Sequence, residues 1–308
     1  MRPDGEITRG TTSPSRLRRV DRWITQAAGA VLRADERPLI VDLGYGASPV
    51  TTLELYRRVR AVAPDAEVAG LEIDPDRVRH ACRRLAELRA AGDELPGLSF
   101  AVGGFELPVP RRPALIRAFN VLRQYPEERA WTAWSRLRSS LADGGVLVEG
   151  TCDEIGRRAV WVTAPALSSG ALPSGPGALI TFSARLASLE RPSDLAERLP
   201  KTLIHRNVPG EPVHQCLGLR RALLRLRPPA ALAGRGHLAV GRVAGASHPA
   251  IWRPPPLAPG RGDPPLERAR PARADVTGDC RPGAGAGSLT GSGTCLPGSA
   301  SAWPVGTL

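Results

Sequence analysis

Two carboxylic acids, thirty positions apart, each close a short apolar run: Asp42 after Pro38-Leu39-Ile40-Val41, and Glu72 after Val68-Ala69-Gly70-Leu71. An apolar run ended by an acid reads as a buried parallel strand reaching its carboxyl end. Asp42 opens the turn Asp42-Leu43-Gly44-Tyr45-Gly46-Ala47-Ser48-Pro49. Gly44 and Gly46 let that backbone turn tightly and let a ligand approach where a β-carbon would intrude. Glu72, ending the next strand, belongs beside the turn, where a carboxylate accepts both hydroxyls of a ribose. Turns that bind a dinucleotide pyrophosphate carry one more glycine, but Pro49 occupies that place. These residues therefore suit a nucleoside ligand without a pyrophosphate, and they disfavour a nicotinamide-dependent oxidoreductase.

Presenting these acids requires a sheet, and the flanking pattern predicts one. Ser13-Pro14 reads as an N-cap and first helical residue, and Leu17, Val20, Ile24, Ala27 and Val31 then recur at helical spacing to about Arg33. Residues 49–63 form a second helix, broken by Ala63-Pro64-Asp65. Asp74-Pro75 caps a third, with Val78, Cys82, Leu85 and Leu88 as its core stripe. Strands follow at Leu98–Val102, Ala114–Phe119 and Gly145–Glu149, with a helix over 127–141 that ends on the Ala142-Asp143-Gly144-Gly145 turn. Ala159–Thr163 and Leu179–Leu186 read as an antiparallel pair at the sheet edge, before a short helix at Ser193–Leu199. Strand alternating with helix predicts an α/β, doubly wound, mostly parallel sheet with an antiparallel terminal pair.

The chain of 308 residues carries a net charge of +12, but the charge is uneven. Residues 38–214 hold 22 basic and 21 acidic groups, whereas residues 215–308 hold 12 and 4. The basicity thus sits mainly in a Gly/Pro-rich C-terminal part, and the near-neutral body argues against a nucleic-acid partner. Three parts are predicted: a flexible N-terminus over 1–12, a folded domain over 13–214, and a low-complexity tail over 215–308, disordered or translated out of frame. No run approaches ~18 consecutive apolar residues, so no membrane span is expected. The N-terminus has no apolar core of a signal peptide, so the expected location is cytoplasmic. The five cysteines and five histidines show no metal-ligand spacing, and no metal is expected.

At Asp42, Gly44, Gly46 and Glu72 the sequence resembles the class I S-adenosylmethionine-dependent methyltransferases, over about residues 15–190. It is closest in character to such proteins of GC-rich actinobacteria. The resemblance implies a Rossmann-like methyltransferase fold, S-adenosylmethionine as cofactor, and methyl transfer to a small-molecule acceptor. By it, Gly44 and Gly46 line the methionine portion, Asp42 helps hold its amino end, Glu72 binds the ribose, and Ile73 covers one face of the adenine. Two positions depart from the pattern. Ser48 stands where a third glycine is common, and Gly104 where an acid near the adenine amino group is common, which leaves Phe105 as the adenine contact.

The substrate-facing segment after the fourth strand is Phe119-Asn120-Val121-Leu122-Arg123-Gln124-Tyr125, which lacks the Asn/Asp-Pro-Pro-Tyr signature of nucleic-acid amino methylation. Asn120 and Tyr125 are the catalytic candidates, Asn120 to orient cofactor or acceptor and Tyr125 to bound the pocket. Glu149 and Asp153 are candidates to assist deprotonation of an acceptor. Trp131, Trp134 and Cys82 read as packing residues. The alternative reading is a non-catalytic protein of the same fold that binds S-adenosylmethionine or a protein partner.

Overall fold

The structure, a computed structural model, describes residues 3–167, 178–185, 188–189, 191–211, 213–214 and 217. The tail predicted over 215–308 lies outside the described residues apart from Leu217. Among the described residues, seven strands form one sheet in the order β3-β2-β1-β4-β5-β6-β7. They are β1 (Leu39–Leu43), β2 (Glu67–Glu72), β3 (Leu98–Val102), β4 (Leu115–Phe119), β5 (Val146–Cys152), β6 (Arg158–Pro165) and β7 (Leu179–Ala184). The first five are parallel, while β6 runs antiparallel to β5 and β7 antiparallel to β6. The predicted doubly wound sheet and terminal pair are both present.

Helices cover both faces, which is why β1, β4 and β5 are buried along their whole length. One layer holds α1 (Arg18–Ala27), α2 (Gly29–Leu32), α3 (Val50–Arg60) and α4 (Pro75–Ala90). Its core joins Ile24, Leu32, Tyr56, Val59 and Leu85 to Ile40, Val68, Phe100 and Trp161 of the sheet. The other layer holds α5 (Glu127–Ser140) and α6 (Lys201–Ile204), with a 3-10 turn over Pro192–Arg198. Here Trp134, Leu137 and Leu203 meet Val41, Leu71, Ile116 and Leu147. Alternate strand residues thus serve opposite cores, as a pleat of period two requires. Trp131 and Trp134 pack edge to face at 5.6 Å, as packing residues rather than site residues.

The start of α4 matches expectation: Asp74 accepts the Asp76 N–H at 2.9 Å, and Pro75 takes the first turn. The first helix does not. It begins at Arg18, and the Ser13 hydroxyl donates instead to Glu154 O at 3.1 Å, in the β5–β6 connection. Ser15 has φ +62°, so the chain bends before the helix can start. Residues 4–10 lie across the carboxyl edge of the strands, hydrogen-bonded to Ala47, Arg77, Phe105 and Tyr125.

Candidate functional site

The strand order reverses at β1, whose neighbours are β2 and β4. A crevice outside the carboxyl ends of the strands forms at such a point. Gly44 and Gly46 stand there with φ of +70° and +88°, and a β-carbon on Gly44 would come within 2.6 Å of Val121 Cγ2. The Gly44 N–H donates to Leu71 O at 2.7 Å, tying the turn to the end of β2. Glu72 is buried, and its carboxylate accepts from Gly46 N at 2.9 Å and from Ile73 N at 3.0 Å. Arg77 Nη1 lies 3.6 Å from the same carboxylate. The glycine turn and Glu72, paired in the sequence only by strand order, are in direct contact.

Asp42 lies beneath the turn, on the face that carries α1 and α3. Arg117, its register partner on β4, donates to it twice, Nε to Oδ1 at 2.8 Å and Nη2 to Oδ2 at 2.6 Å. Thr52 Oγ1 adds a third bond at 2.7 Å. Arg117 also reaches Asp21 of α1 and, at 3.1 Å, Thr51 O. Arg58 of α3 closes the network on Asp21 at 3.1 Å. Burial opposes the charge on Arg117, but Asp42 and Asp21 more than offset it and hold the guanidinium above its usual pKa. Burial pushes Asp21 up to about 6, with Arg117 and Arg58 pulling it down. Arg117 and Asp21 were not singled out from the sequence. The available signal was an arginine inside the otherwise apolar run Ala114–Phe119.

Ile73, Phe105 and Tyr125 gather around Gly5, with Phe105 and Tyr125 edge to face at 5.4 Å. Asn120 has φ +60°, and its amide is tied to Cys152, Nδ2 to Sγ at 3.3 Å and Oδ1 from the Cys152 N–H at 3.0 Å. Glu149, expected near the reacting groups, is not presented to the crevice: it is fully buried on the α5 face and bonded to Trp134 Nε1 at 3.2 Å. Burial pushes its pKa up to about 8. Asp153 caps the β5–β6 connection by accepting the Arg157 and Arg158 N–H groups. These two are corrections, and both follow from strand phase and turn geometry that the sequence pattern leaves open.

The donor and acceptor set suits a hydroxyl-bearing nucleoside. Glu72 supplies acceptor oxygens, and Tyr45 Oη is buried with no hydrogen-bond partner among the described residues. Burial first, then Glu72 and Asp42, raise the Tyr45 pKa well above the usual phenol range, so it remains a donor. Two open grooves lie away from this edge: one of about 360 Å³ between α3 and α4, bordering the turn at Ser48 and Pro49, and one of about 320 Å³ beside Tyr56 and Pro96.

No family model matches the chain. Trans-aconitate 2-methyltransferase of Methylobacterium radiotolerans is 38% identical over 110 residues, which make up 35% of this chain and 36% of that protein. The chain thus spans about a third of the length of the curated relative it matches. Among solved structures, magnesium protoporphyrin IX methyltransferase from Synechocystis PCC 6803 with bound SAM matches at 22% identity and TM-score 0.31, over 44% of this chain and 60% of the other. N-methyltransferase NodS from Bradyrhizobium japonicum WM9 with S-adenosyl-L-homocysteine matches at 19% identity and TM-score 0.31, over 45% and 63%. This chain has a doubly wound, Rossmann-like fold, and the curated protein it is similar to over about a third of its length is a methyltransferase.

Proposed function

We propose that this chain binds S-adenosylmethionine at the carboxyl edge of β1 and β2 and transfers its methyl group to a small-molecule acceptor in the cytoplasm. The observation that carries this reading is the contact between Glu72 and the Gly46 N–H at the point where strand order reverses. The bound cofactor supplies an electrophilic methyl group on a sulfonium. Gly44 and Gly46 line its methionine portion, Glu72 takes the ribose hydroxyls, and Ile73 and Phe105 flank the adenine. Asp42 acts from beneath, through Arg117 and Thr52, by fixing the turn and the start of α3.

Methyl transfer in line depends chiefly on alignment of the reactants and a site matched to dispersed charge. Asn120 is the residue proposed to orient cofactor or acceptor, and Tyr125 to bound the pocket. No helix among the described residues is long and apolar enough to cross a membrane, and the near-neutral body favours a small molecule over nucleic acid as partner. A non-catalytic binding protein is the second reading. It is favoured by the engagement of Asn120 with Cys152 and of Tyr125 Oη with Glu6.

Calorimetric titration of the full chain with S-adenosylmethionine and S-adenosylhomocysteine tests the cofactor. Binding that weakens at least tenfold in Glu72→Ala is expected, since charged hydrogen bonds contribute roughly 1.5–3 kcal/mol. Absence of binding at millimolar ligand to the full chain and to Gly104→Ala and Arg129→Gln/Arg136→Gln variants overturns the cofactor reading. Binding without methyl transfer across a panel of acceptor classes favours the second reading.

A further inference from the structure

Residues 4–10 cross the same edge that the proposed cofactor needs. The Asp4 carbonyl accepts the Phe105 N–H at 2.9 Å, and the Gly10 carbonyl accepts the Ala47 N–H, inside the glycine turn, at 2.9 Å. Between them the Glu6 N–H donates to Tyr125 Oη at 2.5 Å, and Arg77 Nη2 donates to Thr8 O at 2.7 Å. A β-carbon on Gly5 would stand 3.2 Å from both Ile73 Cδ1 and Tyr125 Oη. The segment therefore touches Gly46, Ile73, Phe105 and Tyr125, four of the residues assigned to ligand above.

The body is shaped to receive it. A β-carbon on Gly104 would come within 2.0 Å of Asp4 O, and one on Gly46 within 2.7 Å of Gly10 O. Two glycines thus admit the two carbonyls at the ends of the segment. The acidic end is also held by charge: Glu6 meets Arg129 at 2.9 Å, and Asp4 meets Arg136 at 2.5 Å, both arginines on α5. These four side chains are 42–57% exposed, so the pairs are weak singly and are screened by salt.

We propose that residues 4–10 are a detachable strap that competes with the ligand, clasped by Arg129 and Arg136. The docked carbonyls consume the Ala47 and Phe105 N–H groups and fill the space over Gly46, so strap and ligand exclude one another. The apparent affinity is then the intrinsic affinity reduced by the fraction of molecules with the strap released. Loosening the clasp raises that fraction, as does added salt. The proposal rests on the reading that this edge binds S-adenosylmethionine.

Amide hydrogen exchange of Ala47 and Phe105 in the full chain reports docking without any ligand. Two variants release the strap by different routes: Gly104→Ala by the clash with Asp4 O, and Arg129→Gln/Arg136→Gln by removing the half-exposed partners of Glu6 and Asp4. Each is expected to speed exchange at both amides about tenfold and to tighten S-adenosylhomocysteine binding by the same factor. Wild-type binding is expected to strengthen between low and moderate salt. Freed amides with unchanged or weaker affinity overturn the strap while leaving the cofactor reading intact. So does ligand-induced protection of the Glu6 and Gly10 amides, which means the segment closes over the ligand. Unchanged exchange in both variants overturns the clasp. Freed amides with no binding in any form overturn the cofactor reading, and the competition with it.

Discussion

Arg117 and Asp42 face each other across neighbouring parallel strands, and the guanidinium grips the carboxylate with two bonds of 2.8 and 2.6 Å in a fully buried site. The same arginine reaches Asp21 on α1 and the Thr51 carbonyl in the first turn of α3. One side chain therefore joins the first helix, the first strand and the helix that follows the glycine turn. The turn keeps its shape because what lies beneath it is fixed.

Arg117→Met leaves Asp42 and Asp21 buried without their shared cation. Breaking a buried pair from one side costs about 3–5 kcal/mol, and urea unfolding is expected to show a loss of that order. Arg117→Lys keeps the charge but not the fork, and is expected to recover only part of the loss.

Glu149 is fully buried with one oxygen on Trp134 Nε1, and burial raises its pKa from 4.5 to about 8. Its pKa is raised on folding, so its contribution is fully present below about 4.5 and is lost as pH rises through about 8. The loss across that window is of order 4–5 kcal/mol. Glu149→Gln keeps an acceptor for Trp134 and is expected to flatten the fall in stability between about pH 4.5 and pH 8, read by thermal or urea unfolding.

Asn120 holds a left-handed backbone with φ +60° and a side chain bonded to Cys152. Asn120→Gly relieves the backbone and loses only the amide contacts, whereas Asn120→Ala also carries strain of about 1 kcal/mol. If the residue orients an acceptor, both variants lose methyl transfer with cofactor affinity kept. Equal turnover in wild type and Asn120→Gly removes Asn120 from the site.

Gly44→Ala combines a φ of +70° with a clash at 2.6 Å from Val121 Cγ2. A stability loss of about 1–3 kcal/mol is expected, together with loss of S-adenosylhomocysteine binding. Adding Val121→Ala removes the steric part but not the backbone part, so stability is expected to return only partly. A double-mutant cycle by urea unfolding measures the share.

The sequence by itself determined the strands, the α4 cap at Asp74, the positive-φ glycines of the turn and the placing of Glu72 beside them. These follow from short-range signals: apolar runs, a capping side chain, residues without a β-carbon, and the order in which parallel strands must lie. The tertiary structure alone decided three other matters. Arg117 became the partner of Asp42 because parallel register sets residue 117 opposite residue 42. Glu149 turned toward the α5 core because strand phase assigns alternate residues to opposite faces. Residues 4–10, polar and glycine-bearing and so legible only as a loose end, became docked because their partners Ala47, Arg77, Phe105 and Tyr125 come from four separate parts of the chain. No local pattern encodes a surface assembled from such distant segments.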